Sequence, residues 1–370
     1  MIQRLGPSDV PRVLRFTAAH YADDPVWIPA PMVWDRRRLR AALSRPDRVV
    51  LLAAIVDGEI RGTISVLRDE GFDTDPDHKV AWFGYFESPA DPTIASALVN
   101  AARETAAGWG ADALRGPRNL TRFDFVGLTV HGHDRMPPMM QGQHHRYYQG
   151  LLEGAGMTRH HDVHAYETTL RDPDGGPRSL PDKLLEQAAG CQLEGLRIRA
   201  ASRIRMKPDL IAAHTVLNEA YATVPDISPM PRATFLGLGR AMFTLAGPGL
   251  VQLAFIRDRP VGFSVCLPEL NEALLRTRGR LLPTGWISAL SDMRRVQTAA
   301  FKLIGVIPEL RGSGLHAALI KAVVGGALAA GYTRMDGSVI DERNKPMRGV
   351  VEGLGMTIYR TYRFFESPVR

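Results

Sequence analysis

The sequence predicts an α/β (α+β) protein of two tandem domains, each with a mixed, mostly antiparallel sheet flanked by helices. The chain has 370 residues and is 45% hydrophobic, whereas a single core rarely exceeds about 250–300 residues. Similar segments recur about 200 residues apart, which is the signature of a repeat. Strand and helix patterns also follow one another in the same order in both halves.

The internal repeat rests on two matches in the same register. The segment EGAGMT at 153–158 matches EGLGMT at 352–357, and two strand–turn–strand patterns lie at 53–66 and 253–265. Both spacings are 199–200 residues, which indicates duplication. Gly84 and Gly305, in contrast, lie 221 residues apart, so we expect an insertion of about 20 residues in the second copy.

The expected insertion lies at 268–295 and contains Trp286. Its amphipathic pattern predicts a helix, either a flap over an acceptor pocket or a helix that packs the two domains together.

A loop-forming segment divides the copies. Residues 171–182, RDPDGGPRSLPD, hold three prolines, two glycines and three aspartates, which favour turns over helix or strand. We therefore predict an N-terminal domain at 1–170, a linker at 171–194 and a C-terminal domain at 195–370.

In the C-terminal domain, periodicity and capping signals place most elements. The predicted elements are a strand at 196–201, helices from Pro208 and over 232–245, a hairpin at 250–267, a strand at 301–307, a helix at 315–330, a strand at 333–339, a helix at 346–352 and a strand at 358–365.

Composition excludes several classes of protein. The net charge is +7 and the pI about 9.6, but the basic run at 35–40 lacks the interleaved aromatic residues of a nucleic-acid platform. No apolar run is long enough for a membrane span, and the N-terminus lacks a signal-peptide pattern. Cys191 and Cys266 have no disulfide-framework or metal-ligand spacing. We expect a cytoplasmic protein without nucleic-acid, membrane or metal partners.

The segment from Gly305 to His316 carries the chemistry. Glycines at 312 and 314 at the start of a helix place backbone N–H groups and the positive end of the helix dipole around one point. A pyrophosphate suits that point, and Arg311 can add a charge-assisted contact. A tight strand-to-helix connection without a ligand is the alternative interpretation.

This segment resembles the acyl-CoA signature of the GNAT acetyltransferase superfamily, V-x-P-x-x-R-G-x-G followed by Asn and by Gly-aromatic. The matching residues are Val306, Pro308, Arg311, Gly312, Gly314, Asn344 and Gly355-Met356. The resemblance covers 195–367 and, more faintly, 1–170, and the whole chain is similar to bacterial proteins with two GNAT domains.

The resemblance implies a site for acetyl-CoA or another acyl-CoA. The strand that ends at Val306 would separate from the next strand and leave backbone groups free. Those of Gly305, Val306 and Ile307 would bind pantetheine and polarise the thioester carbonyl. Asn344 would contact the pantetheine arm near the sulfur. Backbone amides of five consecutive residues would hold the pyrophosphate: Gly312, Ser313, Gly314, Leu315 and His316.

The sequence departs from the family at three places. His316 stands where the family has Gly or Ala, and Val351 stands where a tyrosine commonly protonates the leaving thiolate. The strand at 301–307 has no carboxylate that could be a general base. The remaining candidates for the acid are Tyr359, Tyr362 and Asp341. Packing of the tyrosine rings is the alternative for the first two, and for Asp341 we favour a helix cap.

The first copy lacks the phosphate-binding features. Residues 87–93, ESPADPT, contain no glycine, two prolines and two carboxylates, so we expect no coenzyme A there. This domain would instead complete the substrate cleft. Seven of the 11 histidines lie at 131–164, and we expect a polar, partly exposed loop rather than a metal site.

The predicted function is therefore acyl-CoA-dependent N-acyl transfer, most simply N-acetyl transfer, to a small-molecule or peptide amine in the C-terminal domain. Two alternatives stay open. One is a non-catalytic acyl-CoA-binding or regulatory protein, and the other is transfer of a longer acyl or aminoacyl group.

Overall fold

The computed structural model describes residues 1–28, 32–69, 72, 78–121, 124–222, 229–247, 249–277, 292–293 and 295–369. Residues 1–170 are called the first half below, and residues 195–370 the second half. Within the described residues, no helix combines the length and the apolar content that crossing a membrane requires.

Within its described residues, the first half contains four helices and seven strands. Its helices are α1 (Val10–His20), α2 (Met32–Leu43), α3 (Pro92–Gly108) and α4 (Tyr148–Gly154). Its strands are β1 (Ile2–Leu5), β2 (Val49–Val56), β3 (Glu59–Leu67), β4 (Val80–Glu87), β5 (Ala113–Gly116), β6 (Leu128–His131) and β7 (Thr158–Thr169).

The linker helix α5 (Asp182–Ala189) leads into the second half. The helices there are α6 (Met206–Tyr221), α7 (Arg232–Leu245), α8 (Leu270–Thr277), α9 (Leu315–Ala329) and α10 (Lys345–Gly353). The strands are β8 (Leu196–Ala200), β9 (Val251–Ile256), β10 (Arg259–Pro268), β11 (Thr298–Val306), β12 (Arg334–Asp341) and β13 (Thr357–Pro368). These bounds confirm the elements predicted for the second half to within a few residues.

The predicted duplication appears in the strand pairing. In the β2–β3 hairpin, Arg61 is an extra residue between the pairs Ala54–Gly62 and Ile55–Ile60. In β9–β10, Val261 is extra at the equivalent place. Both hairpins therefore carry the same β-bulge, 200 residues apart, which supports a common origin for the two halves.

The two predicted sheets join into one mixed sheet with the order β1-β2-β3-β4-β5-β13-β7-β12-β11-β10-β9-β8. The mostly antiparallel character is confirmed, since among the described strands only β4–β5 and β11–β12 pair in parallel. The last strand of each half lies inside the other half: β13 pairs with β5, and β7 pairs with β12.

The cores follow this exchange. Phe365 of β13 is fully buried among first-half side chains that include Leu98 and Leu114. Tyr166 of β7 is buried in the second-half core with Phe263 and Leu319. Apolar side chains from each half therefore stabilise the other half.

Candidate functional site

A fork in the sheet lies between β11 and β12. Their parallel pairing runs from Thr298–Arg334 to Phe301–Gly337 and then ends, while β11 continues to Val306 paired only with β10. The described strands thus diverge toward the turn that leads into α9. Gly305, Val306 and Ile307, predicted to bind pantetheine, lie on this open limb, where Tyr221 Oη donates to the Ile304 carbonyl at 3.1 Å.

The glycine turn at the open end presents donors without acceptors. Gly312 and Gly314 both have left-handed φ values, 81° and 83°, and no side chain caps the N-terminus of α9. The Ser313 hydroxyl instead donates to the Leu310 carbonyl at 2.7 Å. In this turn the N–H groups of Gly312 and Gly314 have no acceptor among the described residues. Those of His316 and Ala317 precede the first helical hydrogen bond, from Ala318 N–H to the Gly314 carbonyl, and the Leu315 N–H donates to Ser313 Oγ at 3.4 Å. Unpaired N–H groups at the start of a helix favour the approach of an anion.

The other residues predicted to bind the cofactor make contacts within the protein. Arg311 donates to the Ala220 carbonyl at 2.7 Å and so reaches toward α6. Leu315 is fully buried in the core. His316 is half-buried, and burial, then Arg311, lowers the pKa of its imidazole. Asn344 caps α10 by accepting from the Met347 N–H at 3.2 Å.

The three predicted acid candidates separate in the structure. Asp341 was expected to cap the following helix, but Asn344 does so, because Asp341 accepts instead from the backbone and guanidinium of Arg343. Tyr362 is fully buried in an apolar cluster of the first half. Tyr359 donates to Asp336 Oδ2 at 2.5 Å, which places it at the closed end of the fork.

We call five side chains at this closed end the fork cluster: Lys302, Asp336, Glu269, Ser338 and Tyr359. Lys302 lies on β11 and donates from Nζ to Ser338 Oγ of β12 at 2.7 Å. It is the bulged residue of β11, since Val265 faces Leu303 and Cys266 faces Phe301. Bulges redirect side chains and are frequent beside active sites.

Burial dominates the electrostatics of the fork cluster. Burial raises the pKa of Glu269 to about 7 although Lys302 opposes the rise. The pKa of Asp336 is raised for the same reason, and burial followed by the charge of Asp336 raises that of Tyr359. Two carboxyl groups therefore share one cation in a low-dielectric site, which favours the protonated form of each carboxyl more than water does.

Sequence reasoning missed most of this cluster. We noted that the 301–307 strand has no carboxylate, but Asp336 arrives from β12 and Glu269 from the end of β10. The available signal was a charged Asp336 between Met335 and Gly337 in the interior of a predicted strand, because buried charges are rare.

The first half covers the fork cluster. The Met139 N–H donates to Glu269 Oε2 at 2.8 Å, and its carbonyl accepts from Lys302 Nζ at 2.7 Å. The neighbouring Pro137 carbonyl accepts from Asn271 at 2.9 Å. Residues 137–139 thus form one wall of the site.

The equivalent fork of the first half is closed. Pairing of β4 with β5 ends at Trp82–Arg115, but the Arg118 N–H then donates to the Phe83 carbonyl at 2.7 Å. A Cβ on Gly84 would lie 2.2 Å from the Arg118 carbonyl oxygen. The start of α3 is also occupied, because Asp91 accepts from Thr93 N and Ile94 N.

The remaining predicted features lie elsewhere. Of the seven clustered histidines, four belong to strands rather than to a loop: His131 to β6, and His160, His161 and His164 to β7. Among the described residues, no three His, Cys, Asp or Glu side chains are grouped so as to hold a metal ion. The start of the insertion is α8, whereas Trp286 lies outside the described residues.

Comparison with known proteins gives matches along the whole chain. No family model matches. The chain is 27% identical over 374 residues to a bacterial ceramide synthase of Caulobacter vibrioides, covering 98% of this chain and 96% of that protein. It is 26% identical over 377 residues to protein YghO of Escherichia coli, covering 99% and 94%.

Solved structures share the fold. A tandem GNAT protein from the clavulanic acid biosynthesis pathway matches with a TM-score of 0.57 at 15% identity, over 100% of this chain and 98% of its own. A GCN5-related N-acetyltransferase from Sphaerobacter thermophilus matches with a TM-score of 0.53 at 16% identity, over 100% and 96%. The chain therefore has the tandem GNAT fold.

Proposed function

We propose that the protein is an acyl-CoA-dependent N-acyltransferase whose second half binds the acyl-CoA and transfers the acyl group to an amine. One observation carries this proposal. The glycine turn at the start of α9 leaves N–H donors without acceptors at the open end of a fork, whereas Asp91 fills the corresponding helix start in the first half. A pyrophosphate fits the former and is repelled from the latter.

The transfer proceeds by direct attack. The amine nitrogen forms a bond to the thioester carbon, and the carbon–sulfur bond breaks. Backbone groups of Gly305 and Val306 bind the pantetheine and hold the carbonyl in place, which lowers the barrier by proximity and by polarisation. Residues 137–139 of the first half complete the wall on the acceptor side.

A second observation refines the substrates. The relative from Caulobacter vibrioides is named a ceramide synthase, and a ceramide is the amide of a fatty acid with a long-chain amino alcohol. An apolar cluster adjoins Lys302 here, formed by Met139, Ala246 and Leu267 with Met140, Met242 and Leu270 against it. We therefore propose a fatty acyl-CoA and a long-chain amine in place of the acetyl group expected from sequence. Methionine-rich walls adapt to flexible chains.

The phosphate-binding proposal is tested at Gly312. A Cβ there meets nothing within 4 Å, and Asn and Asp tolerate the left-handed conformation. Gly312→Asp places a carboxylate at the cradle, so calorimetry should show at least a tenfold loss of coenzyme A affinity. Gly312→Asn, the uncharged match, should lose less than threefold. Equal losses, or no uptake of coenzyme A by the folded wild type, contradict the proposal.

The choice of acyl group is tested by turnover. We expect thiol release from palmitoyl-CoA with a long-chain amino alcohol to exceed release from acetyl-CoA with the same acceptor by at least tenfold. A preference for acetyl-CoA would restore the N-acetyltransferase prediction. Coenzyme A binding without turnover on any amine would favour the non-catalytic alternative.

A further inference from the structure

The fork cluster lies where the acyl end of the cofactor arrives, if the proposed function holds. The glycine turn fixes the pyrophosphate at the open end, so the pantetheine arm points toward the closed end. From Ile307 back to Lys302 the chain is five residues, about 17 Å of extended strand, a length similar to that of pantetheine. Asp336 belongs to the last two pairs before the fork, and Lys302 is the first residue beyond it.

Asp336 has one oxygen engaged and one available. Its side chain is 3% exposed, and Oδ2 accepts from Tyr359 at 2.5 Å. Oδ1 has no hydrogen-bond partner among the described residues, and neither does the hydroxyl of the neighbouring Tyr362. A buried polar atom without a partner destabilises the folded protein. An amine that donates to Oδ1 would remove that destabilisation.

The charges around Asp336 suit proton transfer from an amine. The groups that face it are Lys302 on β11, Ser338 on β12, Glu269 and Cys266 at the end of β10, Glu167 on β7, and Tyr359 and Tyr362 on β13. Arg135 pairs with Glu167 at 2.7 Å, which leaves Lys302 facing Asp336 and Glu269, so the site is negative when both of these carboxyl groups are ionised. That charge makes a proton on the pair favourable, so the site can receive the proton of a neutral acceptor amine.

From this arrangement we propose that Asp336 is the catalytic base for the acceptor amine and that Tyr359 is its positioning residue. The nitrogen lone pair forms the carbon–nitrogen bond, and the electrons of the carbon–sulfur bond go to sulfur. The proton released by the nitrogen moves to Asp336 Oδ1. The thiolate then takes a proton from Asp336, so the thiol leaves and the carboxylate is restored. Tyr359 holds Oδ2 and thereby aims Oδ1 at the acceptor.

Substitution of Asp336 tests the base. For Asp336→Asn we expect kcat to fall at least 100-fold, while the affinity for palmitoyl-CoA changes less than threefold. The rise of the wild-type rate with pH should also disappear. Asp258→Asn, in the exposed β9–β10 turn, is the matched control and should behave as the wild type.

Substitution of Tyr359 tests positioning and does not remove the carboxylate. Tyr359→Phe deletes a hydrogen bond that favours the charged form of Asp336, so the pKa of Asp336 should rise and the rate should increase only at higher pH. We expect kcat at neutral pH to fall about tenfold with an unchanged KM. A packing role alone would lower stability without moving the pH profile. If Asp336→Asn folds poorly, the pH profile of Tyr359→Phe still tests whether Asp336 acts as the base.

The outcomes separate this inference from the proposed function. Wild-type protein that binds no acyl-CoA removes the proposed function. Wild-type binding and turnover, together with wild-type rate and pH profile in Asp336→Asn, overturn only the assignment of Asp336. An unchanged pH profile in Tyr359→Phe overturns the role of Tyr359.

Discussion

Gly312 and Gly314 are equivalent in the sequence motif but have different surroundings in the fold. Both need a left-handed backbone, with φ values of 81° and 83°. A Cβ on Gly312 meets open space, whereas one on Gly314 would lie 2.2 Å from the Gln187 carbonyl oxygen of the linker helix α5. Gly314 is therefore needed for the packing of α5 against the turn, in addition to its proposed role in phosphate binding. Substitution there would confuse loss of binding with loss of stability.

This difference predicts unequal stabilities. Gly312→Ala should cost roughly 1–2 kcal/mol, the penalty of a left-handed alanine. Gly314→Ala adds a backbone clash and should cost roughly 3 kcal/mol or more. Urea unfolding of the two variants measures the difference directly. Equal costs would show that α5 moves aside without loss.

At the level of single residues, sequence motifs located the glycine turn but not the fork cluster. Gly312 and Gly314 are separated by one residue in the chain and define a local motif. Lys302, Asp336 and Glu269 are brought together by strand pairing and by a bulge, and neither is encoded in local spacing. Tyr359 was a candidate because it lies on the last strand, and its partner Asp336 appeared only in the fold.

At the level of elements, periodicity predicted the helices and strands of the second half closely. Helix α7 was expected at 232–245 and is found there, because its apolar spacing and the preceding prolines are local signals. The partners of β7 and β13 were not predictable in this way. Each strand has mixed polarity, and its pairing partner depends on whether it joins the edge strand of its own half or that of the other half.

The histidine-rich segment predicts acid sensitivity. A cavity of about 400 Å³ is lined in part by His20, His133, His144 and His145. Burial, the largest cause, lowers the pKa of His20 and of His133 to about 4 and that of His144 to about 3. These groups bind protons more weakly in the folded chain than in the unfolded chain. Stability is therefore complete above pH 6.5 and is lost as the pH falls from 6.5 toward 4.

Thermal unfolding between pH 7.5 and pH 4.5 measures this loss. His144 accepts from the Thr129 N–H at 3.2 Å, a bond that Asn can replace. His144→Asn should keep the midpoint at pH 7.5 within a few degrees and should lose less stability on acidification than the wild type. His131→Asn, exposed on the same segment, should retain the wild-type slope. Parallel slopes in all three proteins would contradict the assignment.

At the level of the whole molecule, the boundary in the chain differs from the boundary in the sheet. The loop after residue 170 separates the two halves in sequence, but in the sheet β7 lies next to β12 of the second half and β13 lies next to β5 of the first half. Strand β5 of the first half is hydrogen-bonded on one side to β13. Without the second half, that edge and the pocket filled by Phe365 would be exposed to water. The halves therefore depend on each other for folding.

Fragments of the chain test this dependence. Residues 1–170 lack β13, and residues 171–370 lack β7 and the wall that Met139 provides to the fork cluster. We expect neither fragment alone to unfold cooperatively on heating, and we expect the intact chain to unfold in a single transition. Co-expression of the two fragments should restore a complex with one transition, because the strand pairs are re-formed. A fragment 1–170 that unfolds cooperatively near the midpoint of the intact chain would show that exchange of β7 and β13 is not needed for stability. The same fragment pair reports on function, since coenzyme A uptake should return only when both pieces are present.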